Sequence, residues 1–360
     1  MALLYDLVLT YRCNWNCSYC SNAKSCNRSA AETEMPIDVV RAAMRYIAYS
    51  VKLARKFDPR EKHIIVLFGG EPLLRMDAIK LVCSYAAQLG GIQVNIITNT
   101  SLVPKHQDEL VSCNELLKSS GGELCVIASY DYSLQDEYRR AGTYETVRDN
   151  IRWLYHNDLL LKTVTVFTNS SFHRFPEVVE DVVALEKELP GLWSSFNIDR
   201  CNNEGTAFDT DKVTAAFEAA APRLAELPIT PMTMVYNSQV CGNKALLNPL
   251  CASGSVYMGV DIDGSVYPAY DVVFCNELCK KHCYIGSVFD PLDVLRKKQR
   301  ATIARLGHDI PEPCKDCDLP CRFYPWTAIT DDVSAYGQIP APETLCPMNA
   351  FLGELFKKYW

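Results

Sequence analysis

The sequence lacks the features of membrane, secreted and nucleic-acid-binding proteins. No apolar run among its 360 residues approaches the roughly 18 residues of a membrane-spanning helix. Its start has no basic stretch followed by an apolar one, as a signal peptide has. The formal net charge of −7 argues against a nucleic-acid polyanion as the main partner. We therefore expect a cytoplasmic protein that binds neither membranes nor nucleic acids.

Cysteine is abundant instead, with 17 residues. Disulfides explain this number poorly. The count is odd, the chain is long enough to bury a stable core without disulfide cross-links, and a secretion signal is missing. The cysteines are also clustered: Cys13, Cys17 and Cys20 form a C-x3-C-x2-C run, and eight more fall from Cys251 to Cys346. Such short spacings suit the ligands of one metal centre better than disulfides.

Apolar patterning over the first 230 residues alternates between strands and helices. Short β-branched or apolar runs predict six strands, at Leu4–Thr10, His63–Phe68, Ile92–Thr98, Leu124–Ser129, Lys162–Thr168 and Ser194–Ile198. Helical periodicity predicts six helices, at Ile37–Phe57, Met76–Gln88, His106–Lys118, Thr143–His156, Pro176–Leu189 and Asp209–Leu227. Six such units predict an α/β fold with a parallel sheet, curled into a partial (β/α)6 barrel, since a complete barrel needs two more.

The loops after the predicted strands carry the polar motifs. They hold the first cysteine run, Gly69–Pro72, Thr98–Thr100 and Ser129–Asp131. Active sites of such folds gather where the strands end, so these motifs are expected to form one site.

After Pro228 the pattern changes to Gly, Pro, Asn and Cys, with a hairpin predicted at Val256–Tyr267 that turns at Asp263 and Gly264. We expect the barrel at 1–230, a small cysteine-rich domain at 231–347, and a closing segment at 348–360 with a short helix over Ala350–Tyr359. Four further cysteines lie in apolar patterns and are expected to pack in the core: Cys83, Cys113, Cys125 and Cys201.

Three thiolates on one loop can hold three irons of a four-iron cubane and leave the fourth iron without a protein ligand. An open position suits a substrate-binding centre, whereas an electron carrier normally has four ligands. A zinc knuckle completed by another residue, such as Cys26, is the structural alternative.

The cysteine run, with Tyr19 before its last cysteine, resembles the signature of the radical S-adenosylmethionine (radical SAM) superfamily. The segment Gly69-Gly70-Glu71-Pro72 resembles that family's GGEP segment, which hydrogen-bonds the methionine amino group. Two glycines let the backbone approach a ligand closely, and Glu71 is an apt acceptor for an ammonium. The resemblance implies a four-iron cluster on the three cysteines, with S-adenosylmethionine chelating the open iron.

Two further stretches extend the resemblance. Ser129-Tyr130-Asp131 and the segment from Gln135 to Arg139 are similar to an S-x-D … H-D-x-x-R pattern of peptide-modifying members, in which Ser and Arg contact the methionine carboxylate. An arginine fork pairs well with a carboxylate, but Gln135 stands where histidine is usual. Asn99 resembles the family's Thr-Asn-Gly position, with Thr100 in place of the glycine.

The late cysteines resemble the SPASM extension, which carries two auxiliary four-iron clusters. The matching residues are Cys251, Gly264, Cys314, Cys317, Cys321 and Cys346. Ala269 stands where another cysteine is expected, while Cys275, Cys279 and Cys283 form an extra run. The resemblance therefore implies one auxiliary cluster, and a second with rearranged ligands or one open iron; zinc sites are the alternative. Asp271 lies near the place of an aspartate proposed as a base in sulfatase-maturing relatives, and could equally be a loop residue.

The resemblance implies an anaerobic oxidoreductase. It would cleave S-adenosylmethionine reductively to a 5′-deoxyadenosyl radical that abstracts a substrate hydrogen. SPASM-bearing relatives mostly crosslink, oxidise or epimerise ribosomally made peptides, so we expect a peptide or protein side chain as substrate. A small-molecule dehydrogenase or epimerase is the enzymatic alternative, and a zinc-organised binding protein the non-enzymatic one. The expected partners are a flavodoxin- or ferredoxin-type electron donor and, because the first strand begins near Leu4, a separate peptide-recognition protein.

Overall fold

The framework of the described part of the protein is a sheet of nine strands. The computed structural model describes residues 2–20, 33–168, 170–198, 209–224, 226, 257–268, 273, 280–281 and 283–308. The strands are β1 (Ala2–Thr10), β2 (Lys62–Gly69), β3 (Ile92–Thr98), β4 (Glu123–Ser129), β5 (Leu160–Phe167), β6 (Ser194–Ile198), β7 (Tyr257–Val260), β8 (Ser265–Tyr267) and β9 (Gly286–Ser287).

Helices connect the strands. They are α1 (Ile37–Ala54), α2 (Met76–Leu89), α3 (Gln107–Lys118), the single turn α4 (Gln135–Tyr138), α5 (Tyr144–His156), α6 (Phe175–Glu188), α7 (Thr210–Leu224) and α8 (Leu292–His308). The first six strands and their helices confirm the six predicted units to within a few residues. The charged helix α8 was not predicted, and the helix expected over Ala350–Tyr359 lies outside the described residues. None of the helices in the described ranges is both long and apolar enough to cross a membrane.

The strand order is β6-β5-β4-β3-β2-β1-β7-β8-β9, and the first six strands pair in parallel. The predicted hairpin is present as β7 and β8, with Gly264 at the turn in a left-handed conformation (φ +85°). The sequence did not predict where this hairpin goes: β7 pairs in parallel with β1, with Leu4 opposite Tyr257. The sheet therefore continues from the six parallel strands into the cysteine-rich part of the chain.

The core lies between the sheet and its helices. Alternate residues of β1 and β2, such as Leu7 and Leu67, face a cluster that includes Ile47 of α1. A second cluster, rich in phenylalanine, packs β5 and β6 against α6 and α7. Burying a phenylalanine contributes about 2–3 kcal/mol, so this cluster holds that end of the sheet firmly. Cys83, Cys113 and Cys125 are buried as predicted; Cys201 lies outside the described residues.

Candidate active site

The loop that carries the first cysteines is an extension of β1 packed against the end of β2. Beyond the strands, the Gly70 N–H donates to Thr10 O (2.6 Å) and the Glu71 N–H donates to Arg12 O (2.8 Å). Both glycines are required for this approach: a β-carbon on Gly69 would lie 2.1 Å from Thr10 O, and one on Gly70 would lie 2.1 Å from Arg12 O. The Gly69–Gly70 pair therefore brings the second motif directly beside the cysteine loop.

Glu71 joins the ends of β2 and β3. Its Oε1 accepts from the Leu73 N–H (2.9 Å) and the Thr98 hydroxyl (2.7 Å), and its Oε2 accepts from the Asn99 N–H (2.9 Å). The side chain is fully buried, and this burial raises the pKa of Glu71 to about 7 against the lowering effect of those donors. Pro72 follows as the first residue of the single turn Pro72–Arg75, for which Glu71 is the N-cap.

Amide side chains link β3 to the cysteine loop. Asn99 Nδ2 donates to Asn14 Oδ1 (2.9 Å) and also lies 3.9 Å from Cys13 Sγ. Asn14 Nδ2 donates to the Ser101 hydroxyl (2.8 Å), which in turn donates to Asn99 Oδ1 (2.6 Å). Thr100, where the family pattern has glycine, is buried and adopts a left-handed conformation (φ 64°). Asn14 and Ser101 were not predicted, because polar loop residues are common and neither belongs to a recognised motif.

A buried carboxylate organises the end of β4. Asp131 Oδ2 accepts from the Tyr19 hydroxyl (2.5 Å) and forms an ion pair with Arg139 Nε (2.9 Å). The Arg139 guanidinium also lies over the Tyr19 ring, 5.6 Å from its centre. Burial works against a charged guanidinium, but the nearby Asp131 outweighs it and raises the pKa of Arg139, so the side chain is cationic. Ser129, the last residue of β4, is half-buried beside this cluster.

The segment after Asp131 is hydrogen-bonded to the cysteine loop. The Ser18 N–H donates to Tyr138 O (2.9 Å), and Arg140 Nη1 donates to Asn14 O (2.8 Å). Gln135, which stands in place of the expected histidine, is buried, and its Oε1 accepts from the Asp131 N–H (3.1 Å). The glutamine therefore closes the turn that begins at Asp131.

The three cysteines themselves are partly exposed. The Trp15 N–H donates to Cys13 Sγ (3.4 Å). Burial raises the pKa of Cys13 to about 12 and of Cys17 to about 11, so both are thiols at neutral pH unless a cation compensates. No three His, Cys, Asp or Glu of the described residues converge on one ion. A cubane takes one cysteine per iron, so three cysteines on one loop, with a loop N–H at the sulfur of Cys13, fit an iron–sulfur cluster.

Much of the predicted cysteine-rich site lies outside the described residues. This holds for the predicted base Asp271 and for seven predicted ligands: Cys251, Cys275, Cys279, Cys314, Cys317, Cys321 and Cys346. Cys283 is described and is fully buried. The described part adds one link that sequence reasoning missed: the Tyr11 hydroxyl donates to Asp261 Oδ1, and Lys280 Nζ lies 3.3 Å from Asp261 Oδ2.

Comparison with known proteins gives consistent matches. Residues 7–182 match the family model of the Radical SAM superfamily. The chain is 27% identical over 228 residues to a PqqA peptide cyclase of Rhodopseudomonas palustris, covering 61% of this chain and 55% of the relative. It is 23% identical over 219 residues to the radical SAM cyclopropyl synthase TigE of Paramaledivibacter caminithermalis, covering 55% of this chain and 44% of the relative. The chain thus spans about half the length of these curated relatives.

Solved structures agree with the fold. Native anSMEcpe with bound AdoMet (S-adenosylmethionine) has a TM-score of 0.64 at 16% identity, with 99% of each chain covered. The same protein with AdoMet and Cp18Cys peptide has a TM-score of 0.63 at 16% identity, covering 100% of this chain and 99% of that one. These likenesses confirm the α/β fold with its parallel sheet. The matched segment, residues 7–182, contains the cysteine loop, Gly69–Glu71 and Arg139, and over this segment the chain is similar to the radical SAM superfamily.

Proposed function

We propose that this chain uses S-adenosylmethionine, bound at a four-iron cluster on Cys13, Cys17 and Cys20, to modify a peptide or protein side chain. When bound, such a cluster supplies the electron that cleaves the cofactor to a 5′-deoxyadenosyl radical, which abstracts a substrate hydrogen. One observation carries the proposal: the cysteine loop, the Gly69–Gly70 backbone and the Arg139 cation meet at one edge of the parallel sheet.

The residues at this edge suit the parts of the cofactor. The partly exposed backbone carbonyls of Gly69 and Gly70 would accept hydrogen bonds from the methionine ammonium. The Glu71 carboxylate is buried and already accepts three hydrogen bonds, so its role would be to hold this backbone in place. Arg139 would pair with the methionine carboxylate beside Ser129. Asn99 would keep the cysteine loop in register through Asn14, and Pro72 would fix the turn after Glu71.

The peptide substrate is supported by the relatives rather than by the described residues. A PqqA peptide cyclase and the cyclopropyl synthase TigE match the chain, and anSMEcpe binds AdoMet together with a peptide. The proposal includes a crosslink, oxidation or epimerisation as the outcome, one or two auxiliary clusters on the late cysteines, and Asp271 as a base. A flavodoxin- or ferredoxin-type protein would supply the electron, and a separate protein could present the peptide.

The test of the cofactor chemistry is anaerobic reconstitution with iron and sulfide, followed by reduction with dithionite and measurement of 5′-deoxyadenosine. We expect a brown protein that cleaves S-adenosylmethionine. Changing Cys13, Cys17 and Cys20 together to Ala should abolish cleavage, whereas Cys113→Ala, at a buried cysteine of α3, should retain it. A colourless zinc protein, or cleavage by the triple variant, would overturn the proposal.

The substrate class needs its own test. A deuterated precursor peptide should pass deuterium into 5′-deoxyadenosine and change in mass. Deuterium transfer from a labelled sugar or free amino acid, with none from any peptide, would instead favour a small-molecule enzyme.

A further inference from the structure

Asp131 contacts three separate parts of the proposed cofactor site. Its Oδ2 accepts from the Tyr19 hydroxyl of the cysteine loop (2.5 Å) and pairs with Arg139 Nε (2.9 Å). Its Oδ1 accepts from the Val166 N–H of β5 (3.1 Å). Asp131 itself has no exposed surface, and the Arg139 side chain is only 8% exposed. Few carboxylates are buried as completely as this, and such burial is stable only with several donors.

These contacts need a carboxylate at this position. Among the described residues, the two Asp131 oxygens meet two donors, the Tyr19 hydroxyl and the Val166 N–H, and one cation, the Arg139 guanidinium. An asparagine accepts with one oxygen only, so its amide N–H would face a donor on one side. It would also leave Arg139 without its only ion-pair partner among the described residues.

Tyr19 connects this cluster to the metal ligands. It lies between Cys17 and Cys20, and its ring is covered by the guanidinium of Arg139. The Tyr19 hydroxyl donates to Asp131 Oδ2, so this hydrogen bond joins the cysteine loop to the end of β4. A loop movement that exposes the cysteines would break this hydrogen bond and uncover the Arg139–Asp131 pair.

We propose that Asp131 is a positioning residue that couples cofactor binding to closure of the cysteine loop. This inference rests on the proposed function, in which Arg139 binds the methionine carboxylate. A carboxylate bound to the guanidinium holds Arg139 in place against Asp131, and Asp131 holds Tyr19. The bound cofactor and the closed loop therefore stabilise each other, and the coupling is reciprocal: the cofactor protects the cluster, and the closed loop raises affinity for the cofactor.

The experiment measures loss of the cluster to an iron chelator, followed by its visible absorption, with and without S-adenosylmethionine. The readout is the protection ratio, the rate without cofactor divided by the rate at saturating cofactor. We expect the wild-type ratio to be about tenfold or more, in the range of typical coupling between sites. Asp131→Asn and Tyr19→Phe should each lower the ratio severalfold, to the protection that the cofactor gives by covering the open iron, although Phe keeps the ring beneath Arg139.

Asp136→Asn is the matched control. Asp136 lies in the same segment, but its Oδ1 accepts from the N–H groups of Thr143 and Tyr144 (both 2.9 Å) at the start of α5. Its variant should keep the wild-type ratio. A merely structural role of Asp131 would speed cluster loss equally with and without cofactor, and would leave the ratio unchanged.

The outcomes separate this inference from the proposed function. A wild-type protein that holds no iron, or that does not cleave S-adenosylmethionine, would defeat the proposed function itself. A wild-type protein that does both, with a protection ratio of one or with an unchanged ratio in Asp131→Asn, would overturn the coupling alone. If Asp131→Asn fails to assemble a cluster, Tyr19→Phe decides: a retained ratio in that variant overturns the inference.

Discussion

The backbone of Gly70 lies against the carbonyl of Arg12 so closely that a β-carbon on Gly70 would be 2.1 Å from that oxygen. The Arg12 carbonyl is also the acceptor for the Glu71 N–H (2.8 Å). The contact is backbone to backbone, so no side-chain rotation can relieve it. Close packing between β2 and the cysteine loop thus requires a glycine whether or not a cofactor is bound.

We therefore predict that Gly70→Ala lowers the free energy of unfolding by about 3 kcal/mol or more, because either the β2 loop or the cysteine loop must move. Urea unfolding of the iron-free protein measures this loss, and iron content after reconstitution should fall with it. The control is Gly142→Ala, where φ is +72° but nothing lies within 4 Å of the added carbon. It should lose only about 1 kcal/mol. Equal losses in the two variants would contradict the close contact.

Thr100 gives a second prediction. A β-branched residue at φ 64° is strained, and its buried hydroxyl has no hydrogen-bond partner among the described residues. We predict that Thr100→Gly is more stable than Thr100→Ala by about 1 kcal/mol, the reverse of the usual order for these residues. Thermal unfolding of both variants is the measurement. Greater stability of the alanine variant would show that the left-handed conformation is wrong.

His63 predicts a pH effect on stability. It is buried on β2 against Tyr5, and neither ring nitrogen has a partner among the described residues. Burial lowers the pKa of His63 to about 4 from its ordinary 6.5. Because the folded pKa lies below the unfolded one, the stabilising contribution of neutral His63 is complete above pH 6.5 and is lost as pH falls through 4.

His63→Phe should remove this pH-dependent contribution. Between pH 6.5 and 4 the free energy of unfolding should therefore fall by about 2 kcal/mol more in the wild type than in the variant. Urea unfolding at several pH values gives the difference, in which losses shared by other groups cancel. His173→Phe, at an exposed position, controls for removal of a histidine as such. Parallel curves for wild type and His63→Phe would refute the prediction.

The sequence predicted the strand–helix units well because each strand and helix carries its own apolar period, as in Leu7 and Leu9 of β1 or Ile47 and Val51 of α1. The site was predictable where motifs have fixed spacing, as in the cysteine run and Gly69–Glu71. The contacts of Asp131 were less evident from the sequence, because its partners Tyr19 and Arg139 are 112 and 8 positions away and only the fold brings them together. The edge pairing of β7 with β1 was likewise unpredictable, since backbone hydrogen bonds leave no trace in residue type.

The link between Tyr11 and Asp261 offers the last prediction. Tyr11 lies two positions before Cys13, and Asp261 directly follows β7. Asp261 is buried, which raises its pKa, while Lys280 and the Tyr11 hydroxyl favour the charged form. A hydrogen bond to a buried carboxylate contributes about 1–3 kcal/mol, so it should help to hold the hairpin on β1.

A double-mutant cycle with Tyr11→Phe and Asp261→Asn should therefore give a coupling energy of about 1–3 kcal/mol in urea unfolding. Hydrogen exchange should become faster in β7 and at the edge of β1, since the hydroxyl lies where these two strands end. The control is Lys298→Ala, which breaks an exposed ion pair with Asp290 (2.8 Å) and should change stability by less than about 1 kcal/mol. A coupling near zero, with unchanged exchange in β7, would mean that the backbone ladder alone joins the hairpin to the strand that leads into the cysteine loop.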